Sequence, residues 1–294
     1  MNVSEQVSLS RFTTLGTGGP ARAFARPETL DELVEALRYA GEHELPVATV
    51  GLGSNLLAAD EGVDALVLKL EGELGRVAVD DTRVIAGGGA PNAVVLHRAR
   101  AAELGGFEFA CAIPGTTGGG VWMNAGAYGG DFAGVLDRAL VVDAEHGPRW
   151  LTPAELGLRY RSSDLRHGQV VAEVVLRLRS RPGEEIKATV RELQARRKAA
   201  QPTNKRTFGS VFKNPEHELT AGRLLEACGL RGHRIGGAQI SPRHANFIEN
   251  ADGARTADAL ALMAEARRRA WEQHGVELEH EVEFLGPLEL PPAQ

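Results

Sequence analysis

The chain has 294 residues, of which 43% are hydrophobic and 24% charged, and its formal net charge is -6. This composition is typical of a globular protein with enough chain for two or three compact units. The net negative charge argues against non-specific binding of nucleic acid, although a local basic site for an acidic small molecule remains compatible with it.

The cysteines and the N-terminal segment bear on metal binding and compartment. Cys111 and Cys228 lie far apart, with no CxxC pair and no His/Cys spacing typical of zinc, so we expect a reduced compartment and no metal site. The first residues lack the basic-then-apolar order of a signal peptide, and no run is apolar for long enough to cross a bilayer. We expect a cytoplasmic protein without membrane contact.

The first 90 residues predict strands around one helix. The strands are expected at residues 21–26, 46–50, 63–70, 76–79 and 83–86, where apolar runs are bounded by turn residues. Thr29 and Glu32 form a capping box, and leucines at helical spacing extend from there to Gly41.

The remainder predicts four helices and three strands. A helix is expected from Pro91 to Gly105 and Gly106, and others at residues 183–200, 219–228 and 256–274. Strands are expected at residues 136–142, 170–178 and 276–284, the last because apolar residues alternate there with four glutamates. Solvation explains most of those glutamates.

Two glycine-rich loops predict a ligand site. The first, Gly51 to Asn55, follows a predicted buried strand, but Leu56 replaces the third glycine of a Rossmann fingerprint and no Walker-type phosphate loop occurs in the chain. The second spans residues 106–131, where clustered glycine amides can form an anion-binding nest. An ordinary surface turn is the alternative, which the apolar flanks of the second loop disfavour.

Three further segments leave alternatives open. Arg159 and Arg161 flank a tyrosine, which indicates either a solvated turn or a corner that binds a carboxylate. Ser210 follows Gly209 between two phenylalanines and is either a presented hydroxyl or part of a simple turn. His244 is isolated, and a lone histidine is more often structural than catalytic.

Together these segments resemble the bacterial UDP-N-acetylenolpyruvoylglucosamine reductases over nearly the whole chain. The motifs that carry the resemblance are LGTGGPA at 15–21, GLGSNLL at 51–57, IPGTTGGGVWMNAGAYG at 113–129, YRSS at 160–163, GSVFKNP at 209–215, AGRLLEACGLRG at 221–232 and EHEVEFLG at 279–286. The resemblance implies an α+β fold: a two-subdomain FAD-binding unit of the vanillyl-alcohol-oxidase (PCMH) type, and a C-terminal α+β substrate-binding domain. The short chain is similar to the compact form of the family, which lacks a tyrosine-bearing insertion.

The resemblance implies boundaries for these domains. The FAD-binding domain would span residues 1–182, with subdomains of about 1–70 and 71–182. A linker helix at 183–202 would precede the substrate-binding domain at 203–294, whose last strand would return to the FAD unit. We expect a monomer.

The resemblance also implies cofactors and substrate. FAD would bind non-covalently, and NADPH and UDP-N-acetylglucosamine enolpyruvate would use one cleft in turn. The implied FAD-binding residues are Gly51, Gly53, Ser54, Asn55, Pro114, Gly115, Thr116, Thr117, Gly118, Gly119, Asn124 and Gly126.

Three residues match the catalytic positions of the family. Arg161 would hold the substrate carboxylate, Ser210 would protonate the α-carbon, and Glu281 would donate to the developing enolic oxygen. The residues expected to contact the sugar nucleotide are Tyr128, Lys213, Asn214 and His244.

Two other functions remain as alternatives. A sugar or alcohol oxidase of the same fold would consume oxygen and would not need Ser210. A nucleotide-sugar binding module without catalysis would have no use for a proton donor.

Overall fold

The computed structural model describes residues 2–293, which divide into two compact units. The first unit consists of residues 2–5, 23–52 and 64–197, and the second of residues 6–22, 53–63 and 198–293. The chain therefore passes between the units several times.

The first sheet of unit 1 packs on one amphipathic helix. Its strands have the order β1-β2-β5-β3 and are β1 (Val3–Ser8), β2 (Pro20–Ala25), β3 (Val47–Thr49) and β5 (Val63–Leu68). Helix α1 (Leu30–Glu42) buries Leu33 and Leu37 against this sheet. The hydroxyl of Thr29 accepts the amide of Glu32, as the capping box predicts. The Glu32 carboxylate accepts the amide of Glu28 instead of that of Thr29.

The second sheet of unit 1 is antiparallel and has its own core. Its order is β12-β11-β13-β7-β6, with strands β6 (Val77–Asp80), β7 (Arg83–Gly87), β11 (Leu136–Asp143), β12 (Gly147–Leu151) and β13 (Val170–Arg177). The same unit contains helix α2 (Asn92–Ala101), helix α3 (Thr117–Trp122) and nearly all of helix α4 (Gly183–Ala200). Phe107, Phe109 and Phe132 meet edge to face in the core beside this sheet.

Two short strand pairs complete unit 1. They are β8 (Leu104–Gly105) with β14 (Arg179–Ser180), and β9 (Gly126–Ala127) with β10 (Gly130–Asp131). The β9–β10 hairpin belongs to the glycine-rich segment at residues 106–131.

Unit 2 has a third core, to which residues from distant parts of the chain contribute. Its sheet has the order β15-β18-β17-β16, with strands β15 (Thr207–Ser210), β16 (Arg234–Ile235), β17 (Ala238–Ile240) and β18 (Phe247–Asn250). Helix α5 (Ala221–Ala227) and helix α6 (Thr256–His274) cover it. Strand β4 (Leu56–Ala58) pairs in parallel with β19 (Glu283–Leu285), and Leu15 and Leu57 are fully buried in this core.

Most predicted elements are found, but two expectations are wrong. The helix expected to reach Gly105 ends at Ala101, because residues 104–105 form β8. The strand expected over residues 276–284 is limited to β19. From Glu279 to the Glu281 amide the main chain bonds to residues 211–213, and from the Glu281 carbonyl to Glu283 it bonds to Asn55, so no continuous ladder forms. Leu278 and Val282, two of the apolar residues of this segment, are nevertheless buried.

Candidate active site

The two glycine-rich loops meet within unit 1. A Cβ built on Gly51 would lie only 2.7 Å from the hydroxyl oxygen of Thr116. The contact is possible because Gly51 has no side chain. Nearby, Gly115 has a φ of 150° and Pro114 is exposed. The structure thus brings together two segments that are more than 60 residues apart in sequence.

Several residues of the second loop serve internal packing. Thr117 is fully buried and its hydroxyl donates to the carbonyl of Gly87 at 2.7 Å. A Cβ on Gly118 would lie 2.8 Å from the Gly88 carbonyl oxygen. The Thr116 hydroxyl accepts the amide of Gly119 and caps helix α3.

Gly119 differs from its neighbours because it is exposed. The nearest atom to a Cβ built there would be the Thr116 hydroxyl oxygen, 3.7 Å away. Of the glycines at positions 118 and 119, only the second has open space in front of its Cα.

The Asn124 side chain is buried and bonded within the protein. Its amide nitrogen donates to the Arg159 carbonyl at 3.0 Å and to the Asp131 carboxylate at 3.3 Å, and its oxygen accepts the Ala133 amide at 2.8 Å. The residue has a φ of 41°, which asparagine tolerates better than most residues. Asn124 therefore joins the glycine-rich segment to the turn that carries Arg161.

Arg161 lies at that turn with a φ of 52°. The turn is closed by the amide of Arg159, which donates to the Ser162 carbonyl at 2.9 Å. The guanidinium of Arg161 donates to the Gly126 carbonyl at 2.6 Å and lies over the ring of Tyr160, 5.1 Å from its centroid. A cation is thereby fixed beside the β9–β10 hairpin.

The tip of this hairpin carries an exposed aromatic ring. Tyr128 has a φ of 52° and is 40% exposed, and the guanidinium of Arg196 lies 5.0 Å from its ring centroid. A Cβ on Gly126 would clash with Asp131 at 2.7 Å, so the narrow hairpin requires glycine there.

The remainder of the first loop, residues 53–55, belongs to unit 2 and contacts other residues of that unit. Gly53 has a φ of 66°, and a Cβ there would lie 1.8 Å from the Phe12 carbonyl oxygen. Ser54 lies beside Gly209, where a Cβ would be 3.3 Å from the Ser54 carbonyl oxygen. Asn55 donates from its amide to the Glu281 carbonyl at 3.0 Å. This part of the loop therefore helps to fix the segment that carries Glu281.

Ser210 and Glu281 are linked through Val211. The carbonyl of Val211 accepts the amide of Glu281 at 2.8 Å, and Ser210 directly precedes Val211. Both Ser210 and Glu281 are half-buried. The structure of unit 2 thus brings a hydroxyl and a carboxyl group that are 71 positions apart (281 minus 210) onto adjacent segments.

Three predicted substrate contacts have partners inside unit 2. The Lys213 ammonium pairs with the Glu279 carboxylate. The Asn214 side-chain oxygen accepts the amide of Ala221 at 3.1 Å, at the start of helix α5. His244 accepts the Asn246 amide at its Nδ1. Burial lowers the pKa of His244, and the positive charge of Arg231 lowers it further, which favours the neutral ring.

Asn246 is a residue of this region that sequence reasoning missed. It is buried and bonds through its side chain to the main chain of Phe212. Its only signal in the sequence is an amide within a run of small and apolar residues, Ala245 to Ile248.

Within residues 2–293, no cluster of three or more His, Cys, Asp or Glu side chains has the geometry to hold a metal ion. Across the same residues, no helix has the length and apolar character needed to span a bilayer.

Comparison with known proteins identifies the family of this chain. Residues 21–146 match the family model described as FAD binding domain, and residues 201–285 match the one described as UDP-N-acetylenolpyruvoylglucosamine reductase, C-terminal domain. UDP-N-acetylenolpyruvoylglucosamine reductase 2 of Symbiobacterium thermophilum is 46% identical over 279 residues, which cover 95% of this chain and 90% of that protein. The chain belongs to the UDP-N-acetylenolpyruvoylglucosamine reductase family.

Other members of the family agree in length and fold. The UDP-N-acetylenolpyruvoylglucosamine reductase of Limosilactobacillus reuteri is 39% identical over 287 residues, or 97% of this chain and 96% of that one. The crystal structure of the reductase from Thermus caldophilus superposes with a TM-score of 0.84 at 39% identity, covering 97% of this chain and 99% of that one. The predicted α+β fold with a PCMH-type FAD-binding unit is confirmed.

The cofactors of the family are FAD and NADPH, and the residues of unit 1 fit FAD. A pyrophosphate binds to main-chain amides most closely where no Cβ intervenes. The open face of Gly119 provides such a surface, whereas the corresponding face of Gly51 is covered by Thr116.

Proposed function

We propose that this protein is an NADPH-dependent flavoenzyme that reduces UDP-N-acetylglucosamine enolpyruvate to UDP-N-acetylmuramate for peptidoglycan synthesis. The observation that carries the proposal is the link between Ser210 and Glu281 through Val211. A proton-donating hydroxyl and a carboxyl group on adjacent segments suit an enolpyruvyl double bond, which must gain a proton at one carbon. An alcohol oxidase would have no use for this pair.

Bound FAD would supply the hydride chemistry of the reaction, with NADPH as the hydride source and the β-carbon of the enolpyruvyl group as the acceptor. The protein's part is to hold the substrate and to supply the proton. Arg161 binds the carboxylate by charge-assisted hydrogen bonds, which strengthen as negative charge spreads onto it from the α-carbon. The existing bond to Gly126 orients the guanidinium before substrate arrives.

Ser210 gives its proton to the α-carbon. A serine hydroxyl is a weak acid in water, but a carbanion-like carbon is a strong base, so the transfer runs downhill when the two atoms are aligned. Glu281, in its protonated form, donates a hydrogen bond to the enolic oxygen of the same carboxyl group. The hydroxyl and the carboxyl group therefore act on opposite ends of one delocalised anion.

The remaining assignments follow from the same proposal. The FAD-binding residues are those of the two glycine-rich loops, with Thr117, Gly118 and Asn124 supporting the loop from within. Tyr128, Lys213, Asn214 and His244 bind the sugar nucleotide. Residues 1–182 form the FAD-binding domain and residues 203–294 the substrate-binding domain, and NADPH and substrate use one cleft in turn. The enzyme acts as a monomer in the cytoplasm, where NADPH and nucleotide sugars are made.

Anaerobic absorption spectroscopy of the FAD-loaded protein tests this function. We expect NADPH to bleach the flavin bands and the enolpyruvyl sugar nucleotide to restore them. Recovery only upon admission of air would favour the oxidase, and a protein that takes up no FAD would favour a binding module.

The Ser210→Ala variant separates the two half-reactions. It keeps the volume of the site almost unchanged but removes the proton donor. We expect normal bleaching by NADPH and a strongly slowed recovery with the sugar nucleotide. Normal recovery would remove Ser210 from the mechanism.

A further inference from the structure

A single buried side chain, Asn246, holds the main chain immediately after Ser210. Its amide oxygen accepts the Phe212 amide at 2.9 Å, and its amide nitrogen donates to the Phe212 carbonyl at 2.8 Å. Asn246 is 4% exposed and Phe212 is 2% exposed. Because one carboxamide satisfies both the donor and the acceptor of a buried residue, neither group can exchange its partner for water.

The main chain of Asn246 extends this clamp toward the reacting groups. Its carbonyl accepts the Val211 amide at 2.9 Å, while the Val211 carbonyl accepts the Glu281 amide at 2.8 Å. The peptide groups of Val211 are therefore held on one side by Asn246 and on the other by Glu281. A displacement of Val211 would move both Ser210, its covalent neighbour, and Glu281, its hydrogen-bond partner.

Strand pairing alone leaves Ser210 poorly fixed. Strand β15 pairs with β18 through Thr207 and Glu249 and again through Ser210 and Phe247, with an irregularity between the two positions. Gly209, within that irregularity, has a φ of 85°. Glycine in this conformation restricts the chain less than any other residue would. An additional constraint after Ser210 is needed to aim its hydroxyl.

The clamp is itself held in place. The main-chain amide of Asn246 donates to Nδ1 of His244 at 3.2 Å, and the main-chain amide of Phe247 donates to the His244 carbonyl at 3.0 Å. The His244 ring packs so closely on Gly222 that a Cβ there would lie 2.6 Å from its Cε1. The turn that presents Asn246 therefore rests on helix α5.

We propose that Asn246 is a positioning residue that aims the Ser210 hydroxyl at the α-carbon and sets its distance from Glu281. The inference rests on the proposed function. Asn246 acts through Val211 and Phe212 and does not itself touch the substrate. Losing the clamp lowers the rate of proton transfer without altering the transfer of hydride from NADPH.

Stopped-flow kinetics of the FAD-loaded full chain test this role. The variants are Asn246→Asp, which keeps the acceptor and loses the donor, and Asn246→Ser, a milder change should the first fail to fold. We expect flavin reduction by NADPH at the wild-type rate and flavin reoxidation by the sugar nucleotide slowed on the order of tenfold or more. Asn246→Gln, which restores both bonding groups, should recover part of the loss.

A double-mutant cycle with Ser210→Ala separates positioning from mere structure. If Asn246 acts mainly through Ser210, then Asn246→Asp slows reoxidation much less in the Ser210→Ala background than in the wild type. Asn250→Ala is the matched control: Asn250 also bonds main chain within unit 2, donating to Leu15 at 3.0 Å. It should lower the melting temperature and leave the ratio of the half-reactions unchanged.

Three results would overturn the inference. They are reoxidation at the wild-type rate in the folded Asn246 variants, losses that multiply with that of Ser210→Ala, and failure of every Asn246 variant to bind FAD and react with NADPH. The last would make the residue purely structural. Normal reoxidation in Ser210→Ala alone would instead refute the proposed function, so the two failures are distinguishable.

Discussion

The side-chain amide of Asn124 donates a hydrogen bond to the main-chain carbonyl of Arg159, 3.0 Å away. This bond ties the turn that carries Arg161 to the glycine-rich segment. The other two partners of the Asn124 side chain are Asp131, within the same segment, and Ala133, just after it. The side chain therefore acts as an internal brace.

Asn124→Ala removes this brace. We expect flavin reoxidation by the sugar nucleotide to fall by roughly 10- to 100-fold, because a misplaced Arg161 no longer meets the carboxylate in line. Affinity for FAD, measured by fluorescence titration, should change little. Release of FAD with normal reoxidation in the remaining holoenzyme would instead make Asn124 a direct cofactor ligand.

Arg161→Lys tests the guanidinium itself. A lysine ammonium lacks the planar fork that serves the Gly126 carbonyl and a carboxylate at once. Reoxidation should slow on the order of 100-fold while NADPH bleaches the flavin normally, as stopped-flow absorbance would show. Arg159→Lys is the control, since that side chain is 59% exposed and pairs with the exposed Asp164. Equal losses in both variants would contradict a specific role for Arg161.

Gly119→Ala probes cofactor approach. The structure leaves room for the added methyl group, so the apoprotein should fold as well as the wild type. The methyl group would stand on the surface assigned to the FAD pyrophosphate, and we expect the dissociation constant for FAD to rise about tenfold, equivalent to ~1.4 kcal/mol. Unchanged affinity would remove Gly119 from the cofactor site.

Two other glycines supply controls for that measurement. Gly118→Ala should destabilise the apoprotein, because its Cβ would lie 2.8 Å from the Gly88 carbonyl oxygen. Gly41→Ala, in helix α1 with open space around it, should raise the free energy of unfolding by roughly 0.5–1 kcal/mol without affecting FAD. Thermal unfolding separates these effects from changes in FAD affinity.

Asp143 supports the stability of unit 1. Burial alone would raise the pKa of its carboxyl group, but hydrogen bonds from His146, Gln169 and Arg149 outweigh burial and hold the pKa well below its usual range. Such a carboxylate stabilises the fold above the pKa of the unfolded chain, and this contribution is lost as the pH falls toward the lower pKa of the folded state.

Asp143→Asn should therefore lower the free energy of unfolding at pH 7 by about 2 kcal/mol, because the amide leaves the donor of Arg149 poorly paired. Urea titrations at pH 7 and below pH 4 should show the difference from wild type shrinking in acid. Glu184→Gln, which breaks an exposed pair with Lys187, should change the stability by less than about 1 kcal/mol. A difference for Asp143→Asn that grows in acid would refute this account.

The long helices were predictable to the residue. Helices α4 and α6 begin and end where the sequence predicts, because helical spacing and the glycine after His274 are local signals. The segment after Val276 was not, because its hydrogen-bond partners are residues 211–213 and Asn55, which local sequence does not reveal.

The site was predictable as a set of segments, but the work of individual residues was not. Clustered glycines indicate that the backbone approaches another group closely. The sequence does not distinguish Gly120, which faces Phe132, from Gly119, which has open space in front of it. Asn246 escaped notice because its partner, Phe212, lies 34 positions away and is reached only in the folded chain.

The composition of unit 2 from three stretches of chain has a consequence for biosynthesis. Leu15 and Leu57 leave the ribosome long before strand β19, which must pair with β4, has been translated. The apolar side chains of the early stretches therefore stay exposed to solvent until almost the whole polypeptide has emerged. Nascent chains arrested before residue 283 should accordingly require chaperones to stay soluble. Expression of residues 201–285 alone should yield insoluble material.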